Sequence, residues 1–473
     1  MSARKAFFDT VAVSFVSAFR LLAQFIAVPI LSRLLSPSDY GLVAMAMPFL
    51  LFAMVIADAG IGVSLVRTPA GERHVWSTCF WLSLMLGAGL AAIMMVAAPF
   101  FAMLFEERRL QPIVMVLGVA VFIQSLSAIP TALLQREQKF RLLARTEVVA
   151  LALGIFAAIA IALCGGGAWA LVARQLVFHS LRAGLNFWFT SFRPGKIFDM
   201  PSVKEHLVFG RDMLGVNVIL FLSRSIDNLV IGKIITVAAV GVYAMAFQFA
   251  RLPMMLISGP LQYVFYAKLV NVKDDIQALR GTFLFLTRLL AILIFPAMGM
   301  VAVAHEPIFA LLLSEKWAAS GRVFMLAAAG CALQAVMGIG PTIRMVLGRT
   351  DYQFRAAVES GVLWLLALFI SAEFGLEWVA IAYSVAFIAY APRSLSLTLP
   401  LIGCSAFSYW RTMIIPGVVT GLCITVYSIF SGGAWTDVCF AAGLAIIGLL
   451  VSAFFQRREL AEGLRFLNRL VSV

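Results

Sequence analysis

The chain is poor in charge. Only 12% of its 473 residues are Asp, Glu, Lys or Arg, about half the ~25% of a soluble globular domain. Its six cysteines, Cys79, Cys164, Cys331, Cys404, Cys423 and Cys439, lie singly in apolar runs with no C-x-x-C pair. They read as small buried hydrophobes. His74, His179, His206 and His305 are too far apart in sequence for a metal-ligand spacing. No G-x-x-x-x-G-K-[ST] loop is present, because Gly195-Lys196 and Gly232-Lys233 lack the rest of that pattern. A P-loop ATPase is thereby excluded. Sugar-polymerising chemistry would call for paired carboxylates on a large outer loop, whereas Glu106, Glu107 and Glu373, Glu377 sit in short turns. No small-residue cleavage site follows a short apolar core after "MSARKAFFDT", so no removable signal peptide is expected. No enzymatic activity and no cofactor are expected.

Apolar sequence is abundant. Hydrophobic residues make up 62% of the chain, with a mean hydropathy of +0.99. Runs of about 20 apolar residues recur from end to end, each long enough to cross ~30 Å of hydrocarbon. A β-barrel would show alternating segments of about ten residues instead. The fold class is therefore all-α and polytopic. Fourteen spans are expected, near 10–33, 40–66, 77–104, 111–134, 147–164, 168–192, 210–233, 240–266, 284–313, 323–346, 356–374, 377–400, 412–431 and 434–455. "SPSDYG", "CGGGAW" and "SGGAW" punctuate them as tight turns.

About 25 of the 36 lysines and arginines fall at the termini and in one alternate set of loops. About six fall in the other set: Arg33, Arg108, Arg109, Lys233, Lys316 and Arg322. The positive-inside rule makes the crowded side cytoplasmic, with both termini inside. The formal charge of +13 is thus a topology signal with some attraction to anionic membrane lipid, and no nucleic-acid partner is expected.

An internal repeat divides the chain. "LSRLLSPSDYGLVAMAMPF" (31–49) aligns without a gap on "IGKIITVAAVGVYAMAFQF" (231–249), Gly41 on Gly241 and Phe49 on Phe249. The offset of six spans is even, so both copies run the same way through the membrane. Two parallel six-helix lobes follow, plus two extra helices at the C-terminus. Residues 1–200 would form an N-lobe of helices 1–6 and 201–402 a C-lobe of helices 7–12. Residues 403–473 would hold helices 13–14 and a cytoplasmic tail. Transporters with parallel repeats bind substrate near the midplane and rock their halves.

Five arginines fall within the expected spans: Arg20, Arg174, Arg182, Arg224 and Arg251. Each would cost ~2.5–3.5 kcal/mol at the bilayer centre if it faced lipid. They must therefore face a wet cavity or a partner. Asp58 and Asp227 are the clear acids within spans, with Glu147 and Glu359 near cytoplasmic ends. A net-positive chamber suits an anion, and guanidinium suits phosphate through bidentate contacts. Arg174 and Arg182 share a helix face two turns apart, although Arg174 is also placed to snorkel outward. Gln24 extends the face of Arg20. Arg224 and Asp227, three residues apart, are equally suited to a structural ion pair. Asp58 and Asp227 are alternatively suited to coupling transport to a proton or sodium gradient. Tyr243, Phe247, Tyr263 and Tyr266 are candidate platforms for sugar rings, or else core and lipid-facing residues.

"LSRLLSPSDYGLVAMAMPF" with "DAGIGVSLVR" (58–67) resembles the opening of the polysaccharide transporter family, the Wzx-type lipid-linked oligosaccharide flippases of the multidrug/oligosaccharidyl-lipid/polysaccharide superfamily. "RSIDNLVIGK" with "GVYAMA" resembles the start of that family's second half, and "LQREQKFRLLARTE" (134–147) its basic loop. The resemblance spans most of residues 1–350. It implies fourteen helices in two lobes and ATP-independent transfer of undecaprenyl-diphosphate-linked oligosaccharide repeat units across the bacterial inner membrane by alternating access. Exopolysaccharide, O-antigen or lipopolysaccharide biosynthesis would use the product. A polysaccharide polymerase and chain-length machinery are the implied protein partners. Arg20, Arg224 and Arg251, with Asn228 of the Asp-Asn pair, are the implied cavity residues. A multidrug exporter or peptidoglycan-precursor flippase of the same superfamily, and a non-transporting scaffold subunit, are the competing readings.

Overall fold

A computed structural model describes residues 3–58, 61–65, 73–190, 192–196, 198–204, 226–432 and 434–463. Every regular element among them is helical. The chain separates into two compact units, Met1–Gly241 and Val242–Val473.

The first unit contains α1 (Ala3–Leu34), α2 (Pro37–Asp58), a short α3 (Ile61–Leu65), α4 (Arg73–Leu104), α5 (Leu110–Arg136), α6 (Phe140–Leu163), α7 (Trp169–Thr190) and α8 (226–234). Helix α5 packs against α2, α4 and α7, and α6 packs against α1 and α7. Small residues allow close approach: Gly154 of α6 lies against the backbone of Arg174, and Gly87 of α4 against Ser125 of α5.

The "SPSDYG" turn is held by a reciprocal cap. Asp39 Oδ2 accepts from the Ser36 N–H (2.9 Å) and hydroxyl (2.6 Å), while Ser36 Oγ accepts from the Asp39 N–H at 3.2 Å. This is a capping box with Asp in place of Glu. Asp39 Oδ1 also accepts from the Ala168 N–H at 3.0 Å. It thereby ties the turn to "CGGGAW", where Gly165 and Gly167 adopt positive φ of 79° and 51°. Near the start of α4, Gly195 is pinned down. Trp81 Nε1 donates to the Gly195 carbonyl (2.9 Å), and Ser77 Oγ accepts from the Gly195 N–H at 2.9 Å.

Helix α9 (Val237–Ala250) starts in the first unit and leads into the second. There follow a π turn (Met254–Ser258), α10 (Gly259–Asn271), α11 (Ile276–Val303), α12 (His305–Leu312), α13 (Ala318–Met337), α14 (Ile339–Val346), α15 (Thr350–Ala372), α16 (Leu376–Ser396), α17 (Ala406–Phe430) and α18 (Ala434–Phe455). Helix α11 is central, packing on α13, α17 and α18. The expected span 240–266 is not straight: α9 and the helical stretch Met254–Asn271 meet at 41°. Pro253 cannot donate to the helical ladder, and the π turn absorbs the resulting mismatch.

Ten helices among the described residues are long and apolar enough to cross a membrane, or eleven with this bent pair counted as one span. Helix α1, with 32 residues, and α7, with 22, are also long enough. The expected seventh span is described only from 226. The protein is a multi-pass helical membrane protein.

Candidate functional site

Helix α7 supplies the polar face of the first unit. Arg174, Arg182 and Asn186 follow at helical spacing along it. Packing of α6 on α7 and of α1 on α6 brings Glu147 and Arg20 to the same place. Arg20 Nη2 donates to Glu147 Oε1. Arg182 Nε lies 3.8 Å from Glu147 Oε2. Each carboxylate oxygen thus faces one guanidinium. The side chain of Glu147 is 17% exposed, against 58% for Arg20 and 31% for Arg182. The carboxylate is the shielded centre, and the guanidinium groups keep open faces.

Two cavities meet at this cluster. One, of about 440 Å³, is lined by Arg20, Glu147 and Arg182 together with Thr131, Gln135, Thr146 and Asn186. The other, of about 280 Å³, is lined by the same three charged residues with Arg174, Gln175 and Phe178. Arg174 and Arg182 are eight residues apart, about 12 Å along the helix. Three guanidinium groups and one carboxylate therefore border these two cavities. The excess positive charge favours an anion able to accept several N–H donors.

The other sequence candidates fall elsewhere. Gln24, one turn beyond Arg20 on α1, is half-buried and lines neither cavity. Asn228 Nδ2 donates to the Ala44 carbonyl at 3.2 Å, joining α8 to α2. Asp227 is buried and accepts from the Asn228 N–H at 3.1 Å. Arg251 belongs to the second unit, at the break after α9, where its guanidinium sits 5.3 Å from the centre of the Phe247 ring. Arg224 and the side chain of Asp58 lie outside the described residues. Of the aromatic candidates, Tyr243 and Phe247 are 1% and 2% exposed and stack on each other at 4.2 Å. They are core residues rather than sugar platforms. Tyr263 and Tyr266 are exposed.

Glu147 is the residue whose role sequence reading missed, because its partner Arg20 is 127 positions away. Thr131, Gln135, Thr146 and Asn186 were missed with it. The recurrence of polar residues along α7 was the signal available for Asn186.

The sequence profile of the family described as "Polysaccharide biosynthesis protein" matches residues 30–322, more than half of the chain. The chain belongs to this family. Among similar proteins, the teichuronic acid biosynthesis protein TuaB of Bacillus subtilis (strain 168) is 29% identical over 343 residues, covering 71% of this chain and 70% of that protein. The succinoglycan biosynthesis transport protein ExoT of Rhizobium meliloti (strain 1021) is 26% identical over 296 residues, covering 62% of this chain and 60% of that protein. Among solved structures, the lipid II flippase MurJ in an inward closed conformation superposes with a TM-score of 0.74 at 15% identity, covering 96% of this chain and 99% of that one. At that identity the likeness is one of fold.

Proposed function

We propose that this polysaccharide biosynthesis protein is a flippase that moves undecaprenyl-diphosphate-linked oligosaccharide repeat units across the bacterial inner membrane. The observation that carries the reading is the Arg20–Glu147–Arg182 cluster, with Arg174, bordering cavities inside a membrane-embedded bundle. The family, and relatives named for polysaccharide biosynthesis and transport, support it.

A diphosphate loses its hydration on entering the bundle. Guanidinium groups of Arg20, Arg182 and Arg174 replace that water with charge-assisted hydrogen bonds. Before loading, Glu147 compensates the two nearest arginines, lowering the cost of holding them in the membrane. On loading, the diphosphate takes the place of the carboxylate. The polyprenyl tail stays in lipid between helices while the sugars occupy the cavity. Alternating access then releases the headgroup on the far side. No bond is made or broken, so the chain acts without a cofactor or enzymatic step. A proton or sodium gradient supplies direction, with Asp58 and Asp227 as the carboxylates for coupling. Both termini are cytoplasmic, and the released repeat units pass to a polysaccharide polymerase and its chain-length machinery.

The test is transfer of lipid-linked oligosaccharide by the purified full chain in vesicles. Wild type should expose the sugar on the opposite leaflet, and Arg182→Ala should be inserted and folded but slower by tenfold or more. Wild-type protein that leaves the substrate where it was loaded, or an Arg182→Ala variant with full activity, would overturn the reading.

A further inference from the structure

We infer that the larger cavity is a two-part site in which Asn186 and Thr146 recognise hydrogen-bond donors on the first sugar ring, next to the guanidinium groups that take the diphosphate. The inference rests on the transport reading above and names the chemistry of the same site.

The first observation is the orientation of Asn186, which is fully buried. Thr131 Oγ1 donates its single proton to the Ser127 carbonyl at 2.6 Å. Towards Asn186 it can therefore only accept, and Nδ2 donates to it at 2.8 Å. Nδ2 also donates to Ser127 Oγ at 3.2 Å. Both amide protons are thus used, the carboxamide cannot flip, and Oδ1 is left as an acceptor without a partner. The second observation is independent. Thr146, on α6, is 1% exposed, and its hydroxyl also lacks a partner. Both residues line the larger cavity together with Arg20, Glu147 and Arg182.

An ionised diphosphate carries acceptors and no donor, so it cannot satisfy Asn186 Oδ1. A cavity meant for phosphate alone would present donors only. This one is also lined by a residue with a fixed, covered acceptor and by another with a covered hydroxyl that can act either way. The matching ligand carries O–H or amide N–H groups beside its phosphates, as the ring attached to a polyprenyl diphosphate does. Buried polar groups left unpaired in the empty state are what make such a site reject a ligand that lacks the matching group.

The experiment compares a short-chain polyprenyl diphosphate with the same lipid bearing one N-acetylhexosamine, each titrated against the purified full chain. Wild type should bind the sugar-bearing form about tenfold more tightly, the effect of one to two hydrogen bonds. Thr146→Val keeps the shape and removes only the orphan hydroxyl. It should erase most of that preference, hold the bare diphosphate within about twofold, and melt no lower than wild type. Asn186→Ala should likewise erase the preference. Equal binding of the two lipids by wild type, or a preference that survives both substitutions, overturns the sugar subsite while leaving transport standing. Binding of neither lipid by wild type overturns both.

Discussion

Replacing Gly41 with alanine is a sharp perturbation of the fold, because the obstacle is backbone. A Cβ at Gly41, in the first turn of α2, would lie 1.8 Å from the Val237 carbonyl oxygen in the first turn of α9. Its repeat mate behaves alike: a Cβ at Gly241 would lie 1.9 Å from the Pro37 carbonyl oxygen. Since real Cβ atoms essentially never come within 3.0 Å, the two helix starts must separate by about 1.2 Å, a shift no side-chain rotation can supply. Overpacking of this kind costs about 1–3 kcal/mol. Gly41→Ala should therefore lower the folding free energy by about that amount, measured by denaturant titration in mixed micelles. Gly241→Ala should cost the same. Because both substitutions press on one contact, separating the helices for the first also makes room for the second. The double variant should be less destabilised than the sum by about 1 kcal/mol or more. A Gly41→Ala chain within about 0.5 kcal/mol of wild type, or strict additivity of the pair, would refute the reasoning.

Glu147→Gln leaves Arg20 and Arg182 without their carboxylate. Because the arginines keep solvent access, the lost competition is worth only about 1 kcal/mol, and pyrophosphate should bind roughly fivefold more tightly. Unchanged or weaker binding in a titration would contradict the compensating role. At the turn between α4 and α5, Lys233 Nζ donates to Glu106 Oε1 at 2.8 Å. That hydrogen bond, with the ammonium charge, holds the Glu106 carboxyl below its usual range. A depressed carboxylate stabilises the fold above the ordinary Glu value of about 4.3, and the contribution fades as pH falls through the lowered value. Melting curves between about pH 5 and pH 3 should show this fading in wild type and lose it in Lys233→Met. Identical pH profiles would remove the pair from the account.

Membrane class, helical content and the repeat were legible in the sequence because each rests on a local quantity. Transfer of a 20-residue run into hydrocarbon depends on its own side chains, and the gapless match of 31–49 to 231–249 depends only on order. The intramembrane arginines were equally plain, since a guanidinium in an apolar run stands out wherever it folds. The two glycines that the alignment pairs, Gly41 and Gly241, sit at one close backbone contact. The bend within 240–266 was not legible, because hydropathy treats as continuous a helix that Pro253 interrupts.

What tertiary structure alone decided is which polar groups meet. Hydropathy assigns Arg20 a cost but no partner; only the packing of α1 on α6 sets it against Glu147. It likewise cannot separate Tyr243 and Phe247, closed into the core, from Tyr263, which stays exposed. Nor can it tell that the amide protons of Asn186 are spent on α5 and its oxygen is not. The cost of burying a side chain is a property of the residue and its neighbours in sequence, whereas relief of that cost comes from atoms delivered by distant helices.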